Sequence, residues 1–182
     1  TPKLAKNLVL RVVEIPAKDT QDTVFYRSNR KLLWEDFRGS ASNPTSRFAA
    51  AVYTSWGYEG SSIINGQTIE LTINLRVFMV KSMSWAKPTS QNDYTLRHEQ
   101  LHFDITRLVA HGFREKLESM ELSVDDYDSQ IQYEFIENFR SMNQMQKKYD
   151  GETEHGLRTN EQARWDGYIT AEMERINRKS MD

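Results

Sequence analysis

Thr68-Ile69-Glu70-Leu71-Thr72-Ile73-Asn74-Leu75-Arg76-Val77-Phe78-Met79 is the stretch on which the fold turns. Ile69, Leu71, Ile73, Leu75, Val77 and Met79 are apolar, and Thr68, Glu70, Thr72, Asn74 and Arg76 between them are polar. A period of two over this length predicts a long strand with one face on a core and the other in water. Phe48 to Trp56 alternates as well, and Asn65-Gly66 just before the long strand is a two-residue hairpin signal, so antiparallel pairing across that turn follows. Leu8 to Ile15 and Thr23 to Arg27 read as two further short strands, separated by Pro16 and the polar Lys18-Asp19-Thr20-Gln21 turn. The exposed edge of the long strand is a place where an extended peptide could add itself through main-chain hydrogen bonds.

Downstream the period changes. Pro88 and the polar run Thr89-Ser90-Gln91-Asn92-Asp93 end the sheet and supply helix-start residues before Tyr94. From there to about Met120, Leu101, Ile105, Leu108 and Val109 recur at helical spacing. A second helix is expected from Ser123, with Asp126 placed near a capping box, to about Lys148. A third starts near Thr159, where Gln162 completes a Thr-x-x-Gln box. Strands first and helices after predict an α+β chain, a mostly antiparallel N-terminal sheet packed against three helices. With 182 residues, 38% of them hydrophobic, and no internal repeat, residues 1–182 read as a single domain.

Composition excludes several functions. A net charge of −2 leaves no basic footprint for nucleic acid, and no apolar run approaches the roughly 20 residues that span a bilayer. Without cysteine there are no disulfides, thiolate metal sites or cysteine nucleophiles, so His and carboxylates are the only strong metal ligands. The first residue is Thr1, not Met, which leaves room for a removed export signal.

The first helix carries the chemistry. His98-Glu99-Gln100-Leu101-His102 is the pattern His-Glu-x-x-His. Residues four apart share a helix face, about 6 Å along the axis, so both imidazoles can converge on one ion. A zinc ion held by three protein groups keeps a fourth position for water and lowers that water's pKa toward ~7. Glu99, rotated about 100° from His98, is placed to act as general base toward a metal-activated water.

The third ligand is sought among few residues. His111 lies nine positions past His102, about half a turn round the helix, and points away. His155 stands in the glycine-rich break Tyr149-Asp150-Gly151-Glu152-Thr153-Glu154-His155-Gly156, and Glu152, Glu154 and Glu161 are carboxylate competitors. Tyr149 is either an oxyanion donor or a packed ring. Asp104, Asp150 and Asp166 are possible partners behind ligand imidazoles. Trp34 and Phe37, in Lys31-Leu32-Leu33-Trp34-Glu35-Asp36-Phe37-Arg38-Gly39 before a Ser/Asn/Pro loop, read as core anchors.

Three blocks together resemble the bacterial family of predicted zinc-dependent proteases catalogued as domain of unknown function 922. They are Leu33-Trp34-Glu35-Asp36-Phe37-Arg38-Gly39, His98-Glu99-Gln100-Leu101-His102-Phe103-Asp104-Ile105, and Tyr149-Asp150 with Thr153, His155-Gly156, Gln162 and Trp165-Asp166. The metzincin extension is absent, since Ile105 and Leu108 stand where it needs Gly and His. The resemblance implies a zincin-like domain exported to the periplasm or cell surface, with Zn2+ on His98, His102 and His155 and Glu99 catalytic. The function expected is hydrolysis of peptide bonds in a peptide or protein substrate. The alternatives are a zinc-stabilised, non-catalytic binding domain and an amidase acting on cell-wall or other non-protein amides.

Overall fold

The computed structural model describes residues 5–15, 17–41 and 46–179, so Pro16 and most of the Ser/Asn/Pro loop lie outside it. In chain order its strands are β1 (Asn7–Glu14), β2 (Thr23–Phe25), β3 (Ala50–Ala51), β4 (Thr54–Asn65), β5 (Thr68–Val80) and β6 (Trp85–Ala86). Three α-helices follow: α1 (Asp93–Ser119), α2 (Tyr127–Thr153) and α3 (Thr159–Lys179). The architecture is α+β, with the sheet N-terminal to the helices.

β5 is the centre of the main sheet. Its alternating residues Ile69, Leu71, Ile73, Leu75, Val77 and Met79 are all buried. β4 pairs with it antiparallel from Thr54 opposite Met79 to Asn65 opposite Thr68, turning through Gly66 at φ 64°. The opposite edge of β5 is taken by β1, parallel over residues 68–75, and then by β2, antiparallel over residues 78–80. The long strand therefore has no exposed edge, contrary to expectation. Alternation reports which face is buried, whereas strand order is set by contacts remote in sequence. β3 and β6 form a separate two-stranded sheet.

α1 is a middle layer. Asn92 caps it by accepting the Thr95 amide at 2.9 Å. Phe103, Val109, Ala110, Phe113 and Leu117 join the core under the sheet, with Trp56 packed between Phe113 and Phe135 of α2. Leu101 and Ile105, on another face, form a second cluster with Tyr149, Trp165 and Ile169 from α2 and α3. Each Leu, Ile, Val or Phe among them contributes about 1.5–3 kcal/mol on full burial, so α1 is held from two sides.

Of the two core anchors expected in the block around Trp34, Phe37 packs partly buried against the core, and the buried residues beside it are Leu32 and Asp36. Leu32 is the buried apolar residue, and its amide donates to Gln100 Oε1 on α1 at 2.8 Å. Asp36 is buried too, held by Arg30 and Lys81 and accepting the Leu33 amide. Trp34 is half-buried and packs on Phe37 with ring centres 5.0 Å apart. The second helix starts four residues later than Ser123. Asp126 is its N-cap without a side-chain bond, and Ser123 Oγ caps only the local turn through the Asp125 amide.

Candidate metal centre

The sheet and α2 press on α1 from either side, so polar residues near its N-terminal end must find partners inside the protein. His98 and Glu99 are 5% and 4% exposed. The two imidazoles of the motif lie with ring centres 5.0 Å apart, and their outer nitrogens reach the same atom. Asp150 Oδ1 is 3.2 Å from His98 Nε2 and 3.1 Å from His102 Nε2. Ligand atoms of His98, His102 and Asp150 all lie within 4.8 Å of one another, a group that could hold a metal ion.

Asp150 arrives here because α2 runs to Thr153, one turn beyond the expected end near Lys148. Gln146 and Asp150 then stand four residues apart on one face. Gln146 Nε2 donates to the His102 carbonyl at 2.8 Å and to Thr106 Oγ1 at 3.1 Å. That fixes the amide's orientation and turns Oε1 to His102 Nδ1, 2.6 Å away, so Nδ1 carries the proton. His98 is supported in the same way: its Nδ1 faces Gln162 Oε1 at 2.7 Å and the Tyr149 hydroxyl at 2.9 Å. Both rings therefore hold their inner N–H in hydrogen bonds and aim Nε2 at Asp150.

That arrangement calls for positive charge at the meeting point of two lone pairs and a carboxylate. Protons can supply it: burial alone would depress the pKa of His102, but the Asp150 hydrogen bond and the charges of Asp150 and Glu99 hold it up to about 9. Burial would raise Asp150, yet hydrogen bonds from His102 and His98 keep its carboxyl well below the usual range. A divalent cation would satisfy the same three atoms, and a set of two imidazole nitrogens and one carboxylate oxygen suits zinc and its neighbours.

Glu99 is beside the group but not in it. Burial raises its pKa, opposed by His102 and His98. Its Oε2 accepts the Val52 amide at 3.0 Å, which ties the helix to the strand segment opposite. Between that segment and the helices lies an open cavity of about 580 Å³ whose lining includes His98, Glu99, His102, Asp150 and His155.

His155 reaches the site from outside. α2 ends with Glu154 at φ 48°, His155 at φ 55° and Gly156 at φ 86°. Left-handed non-glycine residues cost about 1–3 kcal/mol each and persist where the surroundings fix them. Here the His155 amide donates to the Asp150 carbonyl, and the Tyr94 hydroxyl to the Gly156 carbonyl at 2.6 Å. Gly156 also passes His98 closely, as an added Cβ would sit 3.4 Å from Nδ1. The His155 ring packs on Phe48, 4.3 Å between centres, with Nδ1 3.4 Å from Asp150 Oδ1 and the side chain 41% exposed.

The other candidates are engaged elsewhere. Glu152 accepts from Trp165 Nε1 and pairs with Arg164, Glu154 pairs with Arg158, and Glu161 with Arg164. Asp104 accepts from Tyr26 and Gln100, and Asp166 pairs with Arg97. Tyr149 is fully buried behind His98, donating to its carbonyl at 3.2 Å, so it is a packed ring. His111 is buried further along α1, away from the cavity. Gln162, expected in a helix cap, supports His98 instead, and Gln146 was not singled out by any sequence signal.

Comparison with curated proteins gives no match, and comparison with solved structures gives none. A family model does match, over residues 38–156, about two thirds of the chain and a span that includes His98, Glu99, His102, Asp150 and His155. On that match the chain belongs to the family described as bacterial protein of unknown function (DUF922).

Proposed function

We propose that this chain is a zinc-dependent metallopeptidase of zincin-like organisation. The observation that carries the reading is the meeting of His98 Nε2, His102 Nε2 and Asp150 Oδ1 beside a buried Glu99 on the wall of an open cleft. His98, His102 and Asp150 would hold the ion, and His155 would brace Asp150 from the solvent side. Asp150 stands in the last turn of α2, just before the loop that carries His155, the residue the resemblance implies as third ligand.

Zinc bound there would polarise the scissile carbonyl and lower the pKa of water toward ~7. Glu99 takes the proton of the attacking water, a role its place on the cleft wall beside the imidazole pair allows. The water oxygen bonds to the carbonyl carbon, the C–N bond breaks, and Glu99 returns the proton to the leaving nitrogen. Gln146 and Gln162 keep the imidazoles in the tautomer that leaves Nε2 free, and the Val52 amide keeps Glu99 turned to the cleft.

Denatured casein with the zinc-loaded chain, read by mass spectrometry, tests the assignment. Glu99→Gln should keep one zinc per chain and lose cleavage by at least about a hundredfold. Full cleavage by that variant would remove Glu99 from the mechanism, and no cleavage by the zinc-loaded parent would return the chain to the binding-domain alternative.

A further inference from the structure

A second cavity, of about 360 Å³, opens beside the cleft. Phe48, Ala49, Asp150, His155 and Leu157 border both, and Arg47, Gly151 and Glu154 line the outer one alone. The stretch that carries Arg47 is pinned on either side by Lys87, whose ammonium donates to the Ser46 carbonyl and whose amide donates to the Ala49 carbonyl at 2.9 Å. Arg47 itself lies with its guanidinium carbon 5.3 Å from the centre of the Phe48 ring, and that ring packs on His155. Stacking on an aromatic face holds the planar cation in place without using its N–H donors.

The charges round this outer cavity are unequally engaged. Glu154 is held by Arg158 at 2.6 Å, and Asp150 Oδ1 is shared by His98, His102 and His155. Arg47 is the only Lys or Arg in the lining, and among the described residues no carboxylate pairs with it. Leu157, 81% exposed, adds an aliphatic surface to both cavities. An unpaired guanidinium fork beside Phe48 and Leu157 suits a ligand with an apolar stem and a carboxylate end. An apolar group alone would cover the guanidinium without replacing its hydrogen bonds to water.

We propose that the outer cavity is a subsite for a carboxylate of the substrate, bound by Arg47, with the stem of the bound group lying over Phe48 and Leu157. The inference rests on the metallopeptidase reading and deepens it by naming the substrate class: a peptide with a negative charge close to the bond that is cut. A Glu or Asp side chain and a C-terminal carboxylate offer the same chemistry to Arg47. Because Asp150 and His155 border both cavities, the charge sits beside the metal centre and selects which bond of a chain is presented to Glu99.

The test starts from tryptic peptides of denatured casein with the zinc-loaded chain. The best-cleaved peptide is resynthesised with Glu, Gln or Lys at each position near the scissile bond in turn, and with its C-terminus as the acid or the amide. Side-chain recognition predicts one position at which Glu exceeds Gln in kcat/KM by about fivefold or more, whereas recognition of the terminus predicts a comparable loss on amidation. Arg47→Gln should bring whichever ratio is found close to one with zinc content per chain unchanged, and for a side-chain carboxylate Arg47→Glu should turn the preference toward Lys. Cleavage that is indifferent both to Glu against Gln at every position and to amidation overturns the subsite and leaves the peptidase reading standing. A preference for the carboxylate that survives Arg47→Gln does the same. No casein peptide cleaved overturns both.

Discussion

The two halves of α1 bury histidine in opposite ways. Near the N-terminal end, His98 and His102 have every ring nitrogen within hydrogen-bond reach of a partner, and both Nε2 atoms meet at Asp150. Three turns on, His111 is as buried as His98, yet neither of its ring nitrogens has a hydrogen-bond partner among the described residues. Glu115 lies 3.7 Å from His111 Nε2, and Arg107, Arg114 and Arg175 face it with their charge. Burial with those cations pushes the His111 pKa down to about 4, while Asp150 and Glu99 hold His102 up to about 9. A buried imidazole is therefore no sign of a site in itself. What marks one is a partner that fixes Nδ1 and a carboxylate that draws Nε2.

The contrast predicts a division of labour that substitutions can break. The largest effect on zinc belongs to His102→Ala, which should weaken its binding more than about a hundredfold by calorimetric titration, with the helical circular dichroism retained. In the other half, Phe113→Ala should destabilise the chain by about 3–5 kcal/mol in urea melts and leave zinc stoichiometry at one, because the ring packs in the aromatic cluster of Trp56, Tyr58 and Phe135. Gln146→Leu comes next: it removes the acceptor from His102 Nδ1, and zinc affinity should fall about 10- to 100-fold with the fold intact.

The smallest effect is at His111. Its pKa in the folded chain, about 4, lies below the ordinary 6.5, so as pH falls the unfolded chain takes up the proton first. The stability contributed by the neutral ring is present above pH 6.5, is lost as pH falls to about 4, and changes no further below that. His111→Leu should flatten that part of the acid limb in thermal melts between pH 7 and 4, with zinc affinity unaltered. An unchanged limb in the variant would show that other groups carry the acid sensitivity.

Much of this was legible in the residues. The alternation of Ile69 to Met79 and the Asn65-Gly66 turn located β5 and its hairpin, since local period and turn chemistry determine both. The spacing of His98, Glu99 and His102 on a capped helix placed the imidazole pair, because four residues make about one turn. Asp150 was legible only as a supporting group: ending α2 near Lys148 left it in a loop, whereas one more turn aligns it with Gln146. Gln162 resembled a helix cap, and a neutral carboxamide gives no charge pattern by which to suspect otherwise. Edge and centre in the sheet could not be told apart, as β1, β2 and β4 are ordered around β5 by contacts far apart in sequence.

Zinc titrated calorimetrically into the metal-free chain, with Asp150→Ala and His155→Ala alongside, tests the central assignment most directly. One site per chain is expected in the parent, with affinity lowered more than about a hundredfold by Asp150→Ala and less than about tenfold by His155→Ala. The reverse order, with zinc kept in Asp150→Ala and lost in His155→Ala, would contradict it and make the third ligand a histidine.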